Sequence, residues 1–201
     1  MKARNVFRKL GMTVAVGALV LTATPTAIAD TTPTPAAGKT FADFLQQHDA
    51  AQRAAATCTN VYIQSPAMVR YWSTRSDSSG YTGSMLSATS TSVGGWQFFR
   101  VCQLGGGNYS FSAYQTGKYV SAELDYPGAD YGMLRARADS VGDWERFRIA
   151  CSGNLCTIQS AKNGKYVSAE YAYAGSGYGM LRARADSAAE WEKFYIYNYL
   201  G

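Results

Sequence analysis

The sequence predicts an all-β domain with threefold internal symmetry, a β-trefoil, on three observations. The windows Gly117 to Ile149 and Gly164 to Ile196 are identical at 23 of 33 positions without a gap, at a period of 47. A more divergent copy lies upstream at an offset of 48, where Tyr71, Met85, Leu86, Trp96 and Phe99 match Tyr119, Met133, Leu134, Trp144 and Phe147. Within each copy the apolar period is two, as in Leu134-Arg135-Ala136-Arg137-Ala138, which suits a half-buried strand. Gly-rich or polar turns such as Gly105-Gly106-Gly107-Asn108, Pro127-Gly128 and Ser152-Gly153-Asn154 punctuate the strands. Each copy therefore supplies about four short strands, and self-similarity at this period marks a repeat architecture. Twelve antiparallel strands in three units close a six-stranded barrel with six more capping one end, and closure removes exposed edges. A three-bladed propeller would leave its centre poorly filled.

Ahead of the repeats, 1–29 has the three parts of a secretory leader. Lys2, Arg4, Arg8 and Lys9 form the positive start, and Leu10 to Leu21 is an apolar run shorter than the roughly 20 residues that span a bilayer. Ala27-Ile28-Ala29 fits the small-x-small cleavage pattern, so the working chain is expected to begin at Asp30 and to be secreted. This changes the meaning of the charge. The chain carries 19 Lys+Arg and 14 Asp+Glu, a net +5. Four of the basic residues and none of the acidic ones lie in the leader, which leaves about +1 and removes the bulk-charge case for nucleic acid. Neither nucleic acid nor, once the leader is cleaved, a membrane is expected as a partner.

Residues 30–39 read as a mobile Thr/Pro linker. Residues 40–56 read as a helix: Thr40 with Asp43 resembles a capping box, and Phe41, Phe44, Leu45 and His48 follow i, i+3, i+4, i+7. Its apolar stripe is expected to dock on the domain or on a partner protein, with His48 as a packing residue. The domain itself is 57–201, with copies at about 58–101, 102–150 and 151–201. Within it, one aromatic pair per copy (Trp96 with Phe99, Trp144 with Phe147, Trp191 with Phe194) is expected to fill the centre.

The runs Gly-Lys-Tyr-Val-Ser-Ala-Glu at 117–123 and 164–170, each followed by Trp-Glu-x-Phe at 144–147 and 191–194, resemble the fascin-like β-trefoil family. The resemblance spans Cys58 to Gly201. It implies a secreted bacterial module, of a kind sometimes attached to glycoside hydrolases, in a family that includes actin cross-linkers and modules that bind polysaccharide. The Gln-x-Trp signature of ricin-type lectins is absent, so ricin-type sugar residues are not carried over. In an exported chain without a CxxC pair, four cysteines read as two disulfides. In a trefoil the first and last strands of copy one are antiparallel neighbours, which pairs Cys58 with Cys102, and Cys151 and Cys156 flank a turn and clip one hairpin.

No nucleophile elbow, zinc motif, phosphate loop or dinucleotide fingerprint occurs, so neither an enzyme nor a cofactor is expected. Glu123 and Glu170 are equivalent by symmetry and so held apart; ion pairs with Arg135/Arg137 and Arg182/Arg184 suit them better than acid–base work, though they remain candidate ligand contacts. Ligand binding is expected in the loops that follow them. Asp125, Tyr126, Asp130 and Tyr131 in copy two, and Tyr171, Tyr173 and Tyr178 in copy three, combine flat rings with polar neighbours, which is what a sugar's apolar face and hydroxyl rim require. Copy one keeps Asp77 and Tyr81 but has Arg75 in place of the glutamate, and its site is expected to be altered. The function these features support is a non-catalytic, lectin-like protein that binds a polysaccharide or glycan, with a protein-binding trefoil (inhibitor, actin-cross-linker-like or host-directed factor) as the alternative.

Overall fold

In the computed structural model, residues 40–49, 57–74 and 83–199 are described. The leader, the linker, residues 50–56 and copy one's Arg75, Asp77 and Tyr81 fall outside them. Copy one contributes β1 (Cys58–Ser65), β2 (Arg70–Thr74), β3 (Leu86–Ser90) and β4 (Phe98–Gly105). Copy two contributes β5 (Asn108–Ala113), β6 (Tyr119–Glu123), β7 (Met133–Ala138) and β8 (Phe147–Ser152), and copy three β9 (Leu155–Ser160), β10 (Tyr166–Glu170), β11 (Met180–Ala185) and β12 (Lys193–Asn198). The copies join in the hairpins at 105–108 and 152–155, a few residues beyond the boundaries read from the sequence period.

The barrel closes through antiparallel pairs β1–β4, β4–β5, β5–β8, β8–β9, β9–β12 and β12–β1. The hairpins β2–β3, β6–β7 and β10–β11 form the cap, and this is the β-trefoil topology. The cap is itself closed by a cycle of backbone bonds: the Ala136 N–H donates to Ser84 O (2.9 Å), Ala183 to Gly132 O (2.7 Å) and Ala88 to Gly179 O (2.7 Å).

Alternation and the repeat place one residue from each copy in every core layer. Phe99, Phe147 and Phe194 form one fully buried layer, Ile63, Phe111 and Ile158 the next, and Leu86, Leu134 and Leu181 seal the cap end. Above them Met85, Met133 and Met180 make a small cluster of their own. The tryptophans correct the sequence expectation. Trp96 is 39% exposed, and Trp144 and Trp191 are half-buried. They sit in the turns before the fourth strand of each copy, where the carbonyls of Trp144 and Trp191 accept from Ala122 N and Ala169 N at 3.0 Å each. The buried indole is Trp72, at the position of Val120 and Val167, with ring centroids 5.0 Å from Phe194 and 6.2 Å from both Phe99 and Phe111.

Both disulfides form as expected, Cys58–Cys102 bridging β1 to β4 and Cys151–Cys156 clipping the β8–β9 hairpin. Helix α1 (Phe41–Asp49) starts with the reciprocal cap: Thr40 N donates to Asp43 Oδ2 (2.6 Å) and Asp43 N to Thr40 Oγ1 (3.2 Å). Phe41 is fully buried in the domain core, and its N–H donates to Asn154 Oδ1 (2.9 Å) in the clipped hairpin. Phe44 and Leu45 pack against the same core, so this part of the apolar stripe docks on the domain.

Candidate functional site

The repeated strand sequence Met-Leu-Arg-Ala-Arg-Ala turns its two arginines away from the Leu/Ala core face, toward the preceding strand and loop. On this face Arg137 grips Glu123 through Nε and Nη2 (Nη2–Oε2 2.8 Å), and Arg184 grips Glu170 in the same way (Nη2–Oε2 2.7 Å). Both guanidinium groups are raised above their usual pKa, first by the hydrogen bonds to the glutamates. Glu123 and Glu170 are 1% and 0% exposed, so the two carboxylates proposed from sequence as ligand contacts are instead buried pillars of the loop. A carboxylate with no access to solvent and both oxygens committed to a fork has nothing left to offer a sugar.

The second arginine of each pair holds a tyrosine. Arg135 Nη1 donates to Tyr126 Oη (2.6 Å) and its Nε to Gly83 O in copy one (2.7 Å). Arg182 Nη1 donates to Tyr173 Oη (3.1 Å), while its Nε and Nη2 reach Tyr131 O (3.0 Å) and Gly128 O (3.3 Å) in copy two. Each arginine thus ties its own tyrosine to the loop of the preceding copy. In copy one the same positions carry Ser87 and Thr89, whose hydroxyls bond one another at 3.0 Å, so the arginine clamp is absent there.

Of the remaining candidates, Asp125 is exposed, while Tyr126, Asp130, Tyr131, Tyr171, Tyr173 and Tyr178 are half-buried. Tyr126 also packs on the methionine cluster. Tyr131 Oη lies 3.4 Å from Asn163 Nδ2, which also donates to Ala183 O (2.9 Å). In copy three Tyr171 contacts Tyr178 (5.5 Å) and Trp191 (6.1 Å), and its hydroxyl donates to Ala88 O (3.3 Å). Burial pushes the Tyr171 phenol up from its usual pKa. The structure therefore gathers Tyr126 with Arg135, Tyr173 with Arg182, and Tyr171 with Tyr178, and leaves Asp125 exposed and Asp130 half-buried in the loop.

Sequence reasoning missed the acid of Trp-Glu-x-Phe. Glu145 and Glu192 are both 7% exposed. Glu145 accepts from Gly142 N (2.8 Å) and Ser121 Oγ, and Glu192 from Ala189 N (2.8 Å), so the motif's glutamate pins the turn that ends on the core phenylalanine. Gln97 does this in copy one, donating to Ser73 Oγ at 2.9 Å. The only signal available was the repetition itself. Among the described residues no cluster of three or more His, Cys, Asp or Glu could hold a metal ion, and no helix is long and apolar enough to cross a membrane.

The closed barrel, the hairpin cap and the threefold recurrence of core layers define a β-trefoil protein. No protein-family model and no curated protein sequence matches the chain. Solved structures do. A designed threefold-symmetric protein, ThreeFoil, aligns over 68% of this chain and 96% of its own with a TM-score of 0.57 at 19% identity. The BEL β-trefoil aligns over 70% and 93% (TM-score 0.55, 8% identity). An exo-β-1,3-galactanase from Clostridium thermocellum, 1,3Gal43A, aligns over 70% of this chain and 30% of that one (TM-score 0.59, 12% identity). At these identities the likeness shows the fold alone.

Proposed function

We propose that the protein is a secreted, non-catalytic carbohydrate-binding trefoil, fascin-like in its repeat signature, that uses the loops after β6 and β10. The observation that carries this reading is the duplicated clamp: Tyr126 on Arg135 and Tyr173 on Arg182, each a half-buried ring held in place before any ligand arrives. Rings fixed in advance cost little entropy on binding and suit the apolar face of a sugar, while the exposed Asp125 supplies an acceptor at the rim of copy two. Two equivalent weak sites on one rigid barrel gain by avidity on a repeating polymer. Two disulfides suit an oxidising, extracellular setting, and the neighbouring folds include a galactanase. Glu123 and Glu170 are each held by an arginine, which supports a structural role over acid–base work.

The test is a glycan array probed with the chain from Asp30 onward, followed by Tyr126→Ala/Tyr173→Ala on whichever glycan is retained. Binding that falls by about tenfold or more in the double variant supports the reading. No binding across the panel, or full-strength binding by the double variant, overturns it.

A further inference from the structure

A further cavity lies away from these loops. A groove of about 970 Å³ runs over the outer wall of the barrel where β1, β4 and β5 meet. Its volume is that of a site for a ligand several rings long. Arg100 is the one charged residue in its lining, and among the described residues it makes no ion pair. Asn60, Thr59 and Ser112 supply neutral polar groups, and Tyr114, 55% exposed, stands at the rim with its ring edge-on to Phe98 (6.2 Å). Phe98 in turn stacks on Tyr199 at 4.1 Å, so Tyr114 belongs to a fixed aromatic row. Ser110 also lines the groove. It is 1% exposed, so it forms part of the groove's floor rather than an accessible contact.

Threefold symmetry supplies an internal control. The equivalent wall between copies two and three keeps Asn108 and Arg148 at the places of Asn60 and Arg100, but Ala161 replaces Tyr114. There the cavity is only about 260 Å³, and Lys162 pairs with Asp143 at 3.0 Å beside it. At the third wall Tyr195 replaces the arginine, and Tyr62 and Tyr197 stack on one another at 5.0 Å. The fold therefore does not require a groove of this size, and what separates this wall from the second is Tyr114 in place of Ala161, since Arg148 keeps the arginine.

We infer that this groove is a second glycan site, distinct from the symmetric loops, and that it takes an oligosaccharide carrying a carboxylate, such as a uronic-acid chain. The inference borrows its ligand class from the carbohydrate-binding reading but not its location. Arg100 pairs with the carboxylate in a two-pronged contact, Tyr114 covers a sugar face, and Asn60 meets a hydroxyl.

The experiment is isothermal titration of the chain from Asp30 onward with oligogalacturonate and, in parallel, with a neutral cello-oligosaccharide. Each variant's melting temperature serves as the folding control. Arg100→Ala and Tyr114→Ala are each expected to weaken oligogalacturonate binding by about tenfold or more, and Arg100→Lys by less. Oligogalacturonate binding that survives Arg100→Ala and Tyr114→Ala but is lost in Tyr126→Ala/Tyr173→Ala overturns the groove and leaves the loop reading standing. Equal affinity for the neutral probe overturns the carboxylate preference. Absence of binding to both probes overturns the groove, while the glycan array separately judges the loops.

Discussion

At the residue scale, the buried carboxylates and the glycines of the cap carry the largest expected effects. Arg137→Ala leaves Glu123, 1% exposed, without its counter-charge; a destabilisation of about 2–4 kcal/mol is expected, read as a drop in the urea midpoint at constant slope. The cycle of backbone bonds in the cap needs a left-handed residue at each of three equivalent positions. Gly132 (φ +76°) and Gly179 (φ +68°) supply it twice, and a Cβ there would come within 2.6 Å of Ala183 O and 2.9 Å of Ala88 O. Ser84 supplies it in copy one at φ 60°, a conformation that costs a non-glycine residue. Ser84→Gly is therefore expected to raise stability by about 0.5–1 kcal/mol, while Gly132→Ala and Gly179→Ala each lower it by about 2 kcal/mol or more, all measurable by thermal unfolding.

At the element scale, the cross-links and the helix differ in what they constrain. Cys58–Cys102 closes a separation of 44 residues and Cys151–Cys156 one of 5. On the chain-entropy model the first contributes about 4 kcal/mol and the second about 2 kcal/mol. The paired Cys→Ser variants should lose stability in that order, and chemical denaturation of each would show it. Helix α1 is short, and its capping box alone is worth about 1 kcal/mol. Docking of Phe41 matters more: Phe41→Ala, which empties a fully buried site, is expected to cost about 3–5 kcal/mol, against about 1 kcal/mol for Thr40→Ala. A smaller loss for Phe41→Ala than for Thr40→Ala would mean that the helix does not hold to the barrel as described.

At the scale of the whole molecule, tyrosines on the barrel wall and in the loop after β10 have titrations that are tied to folding. Tyr62, Tyr171 and Tyr197 all have their pKa raised from the usual 10.0, first by burial. The folded state holds these protons more tightly than the unfolded chain does. Their contribution is fully present below about pH 10 and is lost as pH rises through the raised values. The urea midpoint should accordingly fall as pH rises above about 10, and tyrosinate absorbance should show a late-titrating group.

The repeat period, the two-residue alternation and the Gly-rich turns are local, and each restates the same unit three times. The twelve strands, their grouping, both disulfides and the capping box were accordingly legible from residues alone. The alternation that makes Leu134 and Ala136 core also puts Arg135 and Arg137 on the face where they meet Tyr126 and Glu123, so the glutamate–arginine pairs could be foreseen. Side-chain depth could not. Trp72 replaces a valine and becomes the buried indole, while the repeated tryptophans stay in the turns, because a barrel centre has a fixed volume that three indoles and three phenylalanines would overfill. Tyr126 and Tyr173 look equally free in the sequence, yet their hydroxyls are taken by arginines. The groove at Arg100 joins β1 to the β4–β5 hairpin, distant from it in the chain, and so has no single linear signature. The sequence by itself determined the repeat and therefore the topology, since periodicity is a property of the chain; only the tertiary structure decided which surfaces are open, since exposure depends on which copies meet and on how their unequal side chains fill a common wall.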